Sequence, residues 1–149
     1  MDVNSVKLVD AETREKFKTY QLINDYIENK QKEIEEYNHK KQIDTSVLIN
    51  GRRMTNLGVY RIYIGNYLKN HPSVRQDMTI MVRQLANESR GIPLEIYCFT
   101  NTTDWGDYEV IQADIFDHLY STAIFFGLDI FQEPSGKNFA AAFNKNNVT

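Results

Sequence analysis

Two short alternating segments, residues 78–85 and 94–99, constrain this chain most, because a period-two pattern fixes a strand and its buried face together. In the first, Met78, Ile80 and Val82 face one way and Thr79, Met81 and Arg83 the other. In the second, Leu94, Ile96 and Cys98 share a face. The polar residues 86–91 between them end in Gly91, which tolerates positive φ, so the pair is a predicted hairpin.

A helical pattern flanks the hairpin on each side. Thr55 or Asn56 is placed to cap the first helix, over residues 57–69, whose core face is Leu57, Tyr60, Ile64, Tyr67 and Leu68. His71-Pro72 ends it, because proline disfavours helical geometry in the residue before it. The second helix opens from the cap-rich residues 100–104. Its expected buried side is Trp105, Tyr108, Ile111, Ile115, Leu119 and Phe126, and Gly127 is a natural stop. Residues 47–49, extendable to Met54, predict a strand before the first helix, and residues 128–132 a strand after the second. The order strand, helix, strand, strand, helix, strand predicts an α+β chain. It is a ferredoxin-like split βαβ sandwich, with two helices on one face of a small, mainly antiparallel sheet.

A long helical segment precedes this unit. Residues 3–9 predict a short strand, and Asp10 a helix N-cap. Residues 11–41 contain neither Gly nor Pro. A narrow apolar stripe runs through Phe17, Tyr20, Ile23, Ile27, Ile34 and Tyr37, and Asn24-Asp25 is placed to divide the segment in two. The pairs Glu12–Lys16, Glu28–Lys32 and Glu36–Lys40 each add a few tenths of a kcal/mol, which supports a helix without causing it. Two packing modes fit such a stripe: a helix laid on one neighbouring element, or a helix between subunits.

The chemistry-bearing residues have structural explanations. Asp114 and His118 stand one helical turn apart, a metal-compatible spacing, yet no third ligand is apparent. His39 and His71 sit at predicted helix ends. Cys98, the single cysteine, lies on a strand between Tyr97 and Phe99 and reads as a buried structural thiol. Asp104, Asp107 and Glu109 occupy the first turns of a helix, where its dipole favours negative charge. No catalytic, cofactor-binding or metal residue is assigned, no cofactor is expected, and the chain is not expected to be an enzyme. A net charge of −3 gives no general attraction to phosphate backbones. Tyr97 and Phe99 share a strand face on which RNA bases could stack. Glu95 shares that face too, and the basic-glycine-aromatic motif is missing, so no nucleic-acid partner is expected. No run reaches the roughly 18 to 20 apolar residues of a membrane-spanning helix, and the N-terminus lacks a signal-peptide pattern.

Several separated blocks are less generic. They include Arg52-Arg-Met-Thr-Asn-Leu-Gly58, Tyr67-Leu-Lys-Asn-His-Pro72, Asp77-Met-Thr-Ile-Met-Val-Arg-Gln-Leu85 and Gly91-Ile-Pro-Leu-Glu-Ile-Tyr97. Phe99-Thr-Asn-Thr102, Trp105, Tyr108-Glu109, Ile111-Gln-Ala-Asp-Ile-Phe-Asp-His118, Phe126-Gly-Leu128 and Phe131-Gln132 continue the series. In this order they resemble the cytoplasmic C-terminal domain of the small-conductance mechanosensitive (MscS) channel family, in its YbdG-like, miniconductance branch. The resemblance implies a larger integral membrane protein, with transmembrane helices absent from this chain. Its identical subunits would form a ring, usually of seven, around a hollow vestibule at the cytoplasmic face of the bacterial inner membrane. Such channels open under membrane tension and protect against hypoosmotic shock. The implied division is residues 1–9 as the end of a preceding β-domain, 10–46 as helical segment and joint, 47–136 as the α/β domain and 137–149 as a flexible tail. Contacts between subunits are expected at the N-terminal helix or at the apolar tail residues 139–143. The alternative is a soluble ligand-binding regulatory module on the same ferredoxin-like fold.

Overall fold

A computed structural model describes residues 1–87, 89–133 and 136. Side chains supply the N-terminal caps of three helices, and the helix Asn24–Lys40 starts after Ile23 without one. Asp10 accepts from the Thr13 amide at 2.8 Å and opens helix α1, Ala11–Lys18. The chain then breaks, and α2 runs over Asn24–Lys40, as the Asn24-Asp25 signal suggested. The Thr55 hydroxyl accepts from the Gly58 amide at 3.1 Å and opens α3, Asn56–Lys69. Asp104 accepts from the Asp107 amide at 3.0 Å and opens α4, Trp105–Ala123. A 3-10 turn, Ile124–Phe126, continues it, and Gly127 stops it at φ 65°, a left-handed conformation that glycine adopts without a Cβ penalty.

The predicted hairpin forms from β1, Met81–Gln84, and β2, Leu94–Tyr97, paired antiparallel with Val82 opposite Ile96. Ile80, Val82, Leu94, Ile96 and Cys98 turn toward the core, and Arg83 pairs with Glu95 across the other face. Val74 and Thr100 add an isolated antiparallel bridge further along.

The outer strands differ from expectation. Residues 47–49 form no strand. Asn50 donates back to the Val47 carbonyl at 3.0 Å and Arg53 donates to the Thr45 carbonyl at 2.6 Å, so this loop satisfies its backbone locally. The strand position before α3 is held instead by one antiparallel bridge, Leu8 to Thr55. Residues 3–9 are likewise not a continuous strand, since Val3–Ser5 is a 3-10 turn capped by Asp2. Residues 128–132 are unpaired as a strand, although the Asp2 amide bonds to the Asp129 carbonyl at 2.8 Å. The fold is α+β, and among the described residues its one sheet has two strands. The expected tail, 137–149, lies outside the described residues.

One apolar cluster unites the chain. Phe17, Ile23, Ile27 and Ile34 from α1, α2 and their joint meet Tyr60, Ile64 and Leu68 of α3, and Ile115, Leu119 and Phe126 at the other side. The Phe126 ring lies 4.9 to 5.5 Å, centroid to centroid, from Tyr60, Tyr63, Phe17 and Tyr20. Beside it, the buried side chain of Asn56 connects three stretches of backbone. Its Oδ1 accepts from the Lys7 and Leu57 amides at 2.8 and 2.9 Å. Its Nδ2 donates to the carbonyls of Ser5, Phe126 and Gly127 at 2.9, 3.2 and 3.3 Å.

Truncating Asn56 would strand several buried polar groups at once. Asn56→Ala is expected to lower unfolding free energy by about 3 kcal/mol, and Asn56→Asp by at least as much, because a carboxylate would face three carbonyls. Chemical denaturation checks this, and a loss below about 1 kcal/mol for Asn56→Ala would contradict it.

Candidate assembly surface

Helix α4 carries apolar residues around more of its circumference than one core can cover. Ile115, Leu119 and Ala123 are buried, and Ile111 packs partly against them. The Tyr60 hydroxyl donates to the Leu119 carbonyl, which ties this inner face to α3. At spacings of eleven, four and four residues, Trp105, Phe116, Tyr120 and Ile124 form a second apolar line along the adjoining arc. All four are exposed, Trp105 at 76% and Ile124 at 70%. The Phe116 and Tyr120 rings stack at 5.8 Å with planes 14° apart. Trp105 was expected on the buried side. It sits instead in the first turn of the helix, on the outer arc with Phe116. Phe116, Tyr120 and Ile124 lie one turn apart, with Trp105 about three turns before them past Glu109 and Gln112, and exposed apolar side chains aligned in this way mark an interaction surface.

The loop before α3 offers a second exposed apolar group, Val47, Leu48 and Ile49, with Ile49 at 84%. Its base is fixed. Asn38 of α2 exchanges two hydrogen bonds with the Arg52 backbone, at 2.9 and 3.0 Å. Gly51 takes φ 72°, and a Cβ there would stand 2.6 Å from Asn38 Oδ1, so this close approach requires glycine. By contrast, the stripe of α1 and α2 is used inside the chain, since Phe17, Ile23, Ile27 and Ile34 are all core residues. That is the first of the two packing modes open at the sequence level.

The titratable residues are dispersed. His118 does not pair with Asp114. Its Nε2 meets the Tyr63 hydroxyl at 2.8 Å, and its ring stacks on Tyr67 at 4.0 Å. Burial, with the nearby His71, holds its pKa below the ordinary 6.5. Asp114 is exposed and acts on Tyr67, whose phenol is pushed up by burial first and by that carboxylate second. His71 Nδ1 accepts from the Ser73 amide at 3.2 Å, while His39 lines a cavity beside α2. Burial pushes the Cys98 thiol up, which keeps it protonated and weakly nucleophilic. Asp104 is the α4 cap, with Asp107 and Glu109 exposed in its first turns. Tyr97 and Phe99 pack edge to face at 5.2 Å. Among the described residues no three His, Cys, Asp or Glu side chains gather as a metal site, and no helix is long and apolar enough to cross a membrane.

Residues 64–129 match the family model described as Mechanosensitive ion channel MscS, C-terminal. Over these residues the chain is similar to that C-terminal domain. The low conductance mechanosensitive channel YnaI of Escherichia coli (strain K12) is 32% identical over 78 residues, which is 51% of this chain and 22% of that relative. The chain thus spans about a fifth of that relative's length. No solved structure matches the chain. The matched segment contains the hairpin, all of α4 and the whole line Trp105, Phe116, Tyr120 and Ile124, whereas α1, α2 and the loop at 43–54 lie before it. The outer line was legible in its spacing. Assigning Trp105 to the inner face obscured it.

His118 gives the chain a pH dependence of defined sign. Its folded pKa is depressed, so the unfolded chain binds the proton more readily, and stability rises with pH across this window. The contribution is complete above the unfolded value of 6.5 and is lost as pH falls from there through the folded value. Urea midpoints are expected to fall between roughly pH 7 and 5.5, with a flatter slope in His118→Phe. An equal slope in both proteins would contradict this.

Proposed function

We propose that the chain is the cytoplasmic vestibule domain of a bacterial mechanosensitive channel that opens under membrane tension and protects the cell from hypoosmotic shock. The observation that carries this reading is the exposed line Trp105, Phe116, Tyr120 and Ile124, lying wholly within the segment that matches the MscS C-terminal domain. Its occupant is a second copy of the chain. A head-to-tail contact repeated between identical subunits closes a ring, and the ring encloses the vestibule. The ring is heptameric and stands at the cytoplasmic face of the inner membrane, and the protein belongs to the miniconductance branch. Tension sensing and the pore belong to transmembrane segments of the same protein, and this domain is structural, not an enzyme.

In this reading residues 1–9 close a preceding β-domain, 10–46 are a helical segment and joint, 47–136 are the vestibule wall and 137–149 a flexible tail. A sieve wall must hold its shape against solute flow, and a close-packed sheet-and-helix unit has the required low compressibility.

The test uses the intact protein that carries this chain, expressed in a bacterial strain stripped of its own mechanosensitive channels. Pressure-activated currents in excised patches and better survival of osmotic downshock are expected. Phe116→Glu combined with Tyr120→Glu is expected to reduce both while membrane levels hold. Membrane-inserted wild-type protein that passes no pressure-activated current would overturn the reading.

A further inference from the structure

A cavity of about 100 Å³ lies between β2 and α4, lined by Ile96, Cys98, Ile115 and Phe116 and by the hydrogen-bonded pair Tyr108 and Gln112. Tyr108 and Phe116 are both exposed, so the cavity borders the outer face of α4. Ligand sites begin at roughly 300 Å³, and this smaller apolar space is scaled to a single aliphatic side chain. Such a side chain is presented elsewhere on the molecule. Ile49, at 84%, is the most exposed large apolar residue among those described, and Val47 and Leu48 stand exposed beside it. Asn38 and Gly51 hold the base of this loop, so its tip loses little freedom when a partner covers it.

The charges around the two features are opposite. Helix α4 contains Asp107, Glu109, Asp114 and Asp117, all exposed, and neither Lys nor Arg. None of the four carboxylates is in an ion pair among the described residues. Residues 40–53 carry Lys40, Lys41, Arg52 and Arg53 against Asp44 alone. Arg52 is already paired with Glu33, whereas Lys40 and Lys41 are exposed and form no ion pair among the described residues. A head-to-tail contact joins two unlike surfaces of one chain. We propose that the loop tip Val47-Leu48-Ile49 of each copy docks on α4 of the next, with the Ile49 side chain seated in the cavity between β2 and α4. Lys40 and Lys41 then face the carboxylates of α4, which sets the direction of the contact more than its strength. This docking rests on the ring reading above and names the surface that meets the α4 line.

Cys98 lines the cavity, which gives the test its reporter. Ile49→Cys is introduced into the intact protein in native membranes, and the membranes are oxidised at about pH 8.5, where a thiol is appreciably ionised. Disulfide-linked bands at multiples of the subunit mass are expected, and they are expected to vanish when Cys98→Ser is added. The same membranes carrying a photo-cross-linker at Tyr120 report separately on whether copies assemble through α4. Ile49→Asp is expected to abolish that Tyr120 ladder while membrane levels hold. No disulfide ladder beside an intact Tyr120 ladder overturns the docking and leaves the ring reading standing, whereas loss of both ladders in the Ile49→Cys protein and in the parent overturns the two together. A ladder that persists in Cys98→Ser, or a disulfide closed within one chain, also overturns the docking.

Discussion

The buried amide of Asn56 is the interaction on which most of this structure depends. It joins the N-terminal residues Ser5 and Lys7, the first turn of α3 and the end of α4 at Phe126 and Gly127. Five backbone groups would otherwise lack these partners in a site closed to water. Their satisfaction by one side chain fixes where α4 ends relative to where α3 begins. That placement sets the Phe126 ring among Tyr60, Tyr63, Phe17 and Tyr20. The N-terminal helices and the segment from α3 to Gly127 therefore share one core, and the inner face of α4 cannot rotate to hide its outer one.

This fixed orientation links packing to the proposed role. A helix that buries Ile115, Leu119 and Ala123 on one side has no further core to offer Trp105, Phe116, Tyr120 and Ile124 on the next. Rigid presentation of such a line limits the entropy lost when a partner orders it, which favours assembly over loose association. The loop at 43–53 follows a similar principle, with Asn38 and Gly51 fixing its base while Val47, Leu48 and Ile49 face outward.

Local signals were legible where the physics is local. Asp10 caps the helix it was expected to cap, Thr55 is the cap of the two candidates Thr55 and Asn56, Asp104 is the cap drawn from the cap-rich residues 100–104, and Gly127 stops α4, because a cap needs only its own turn. The hairpin was legible because alternation and a glycine turn act together. Residues 47–49 look like a strand by composition, but a strand needs a partner. Here Asn50 and Arg53 close the loop on itself, and Leu8 takes the pairing position at Thr55. Residues 3–9 and 128–132 misled for the same reason. Asn56 read only as a candidate cap, since its partners lie about 50 to 70 residues away in sequence. His118 read as half of a possible metal pair, while the tyrosines that surround it come from α3.

The most direct test of the central claim is site-specific photo-cross-linking in the intact protein, with a benzophenone amino acid replacing Tyr120, in native membranes. The account predicts a ladder of bands at multiples of the subunit mass, and no ladder when the probe replaces the buried Ile27. Cross-links at Tyr120 that join only unrelated proteins, or none at all, would contradict it.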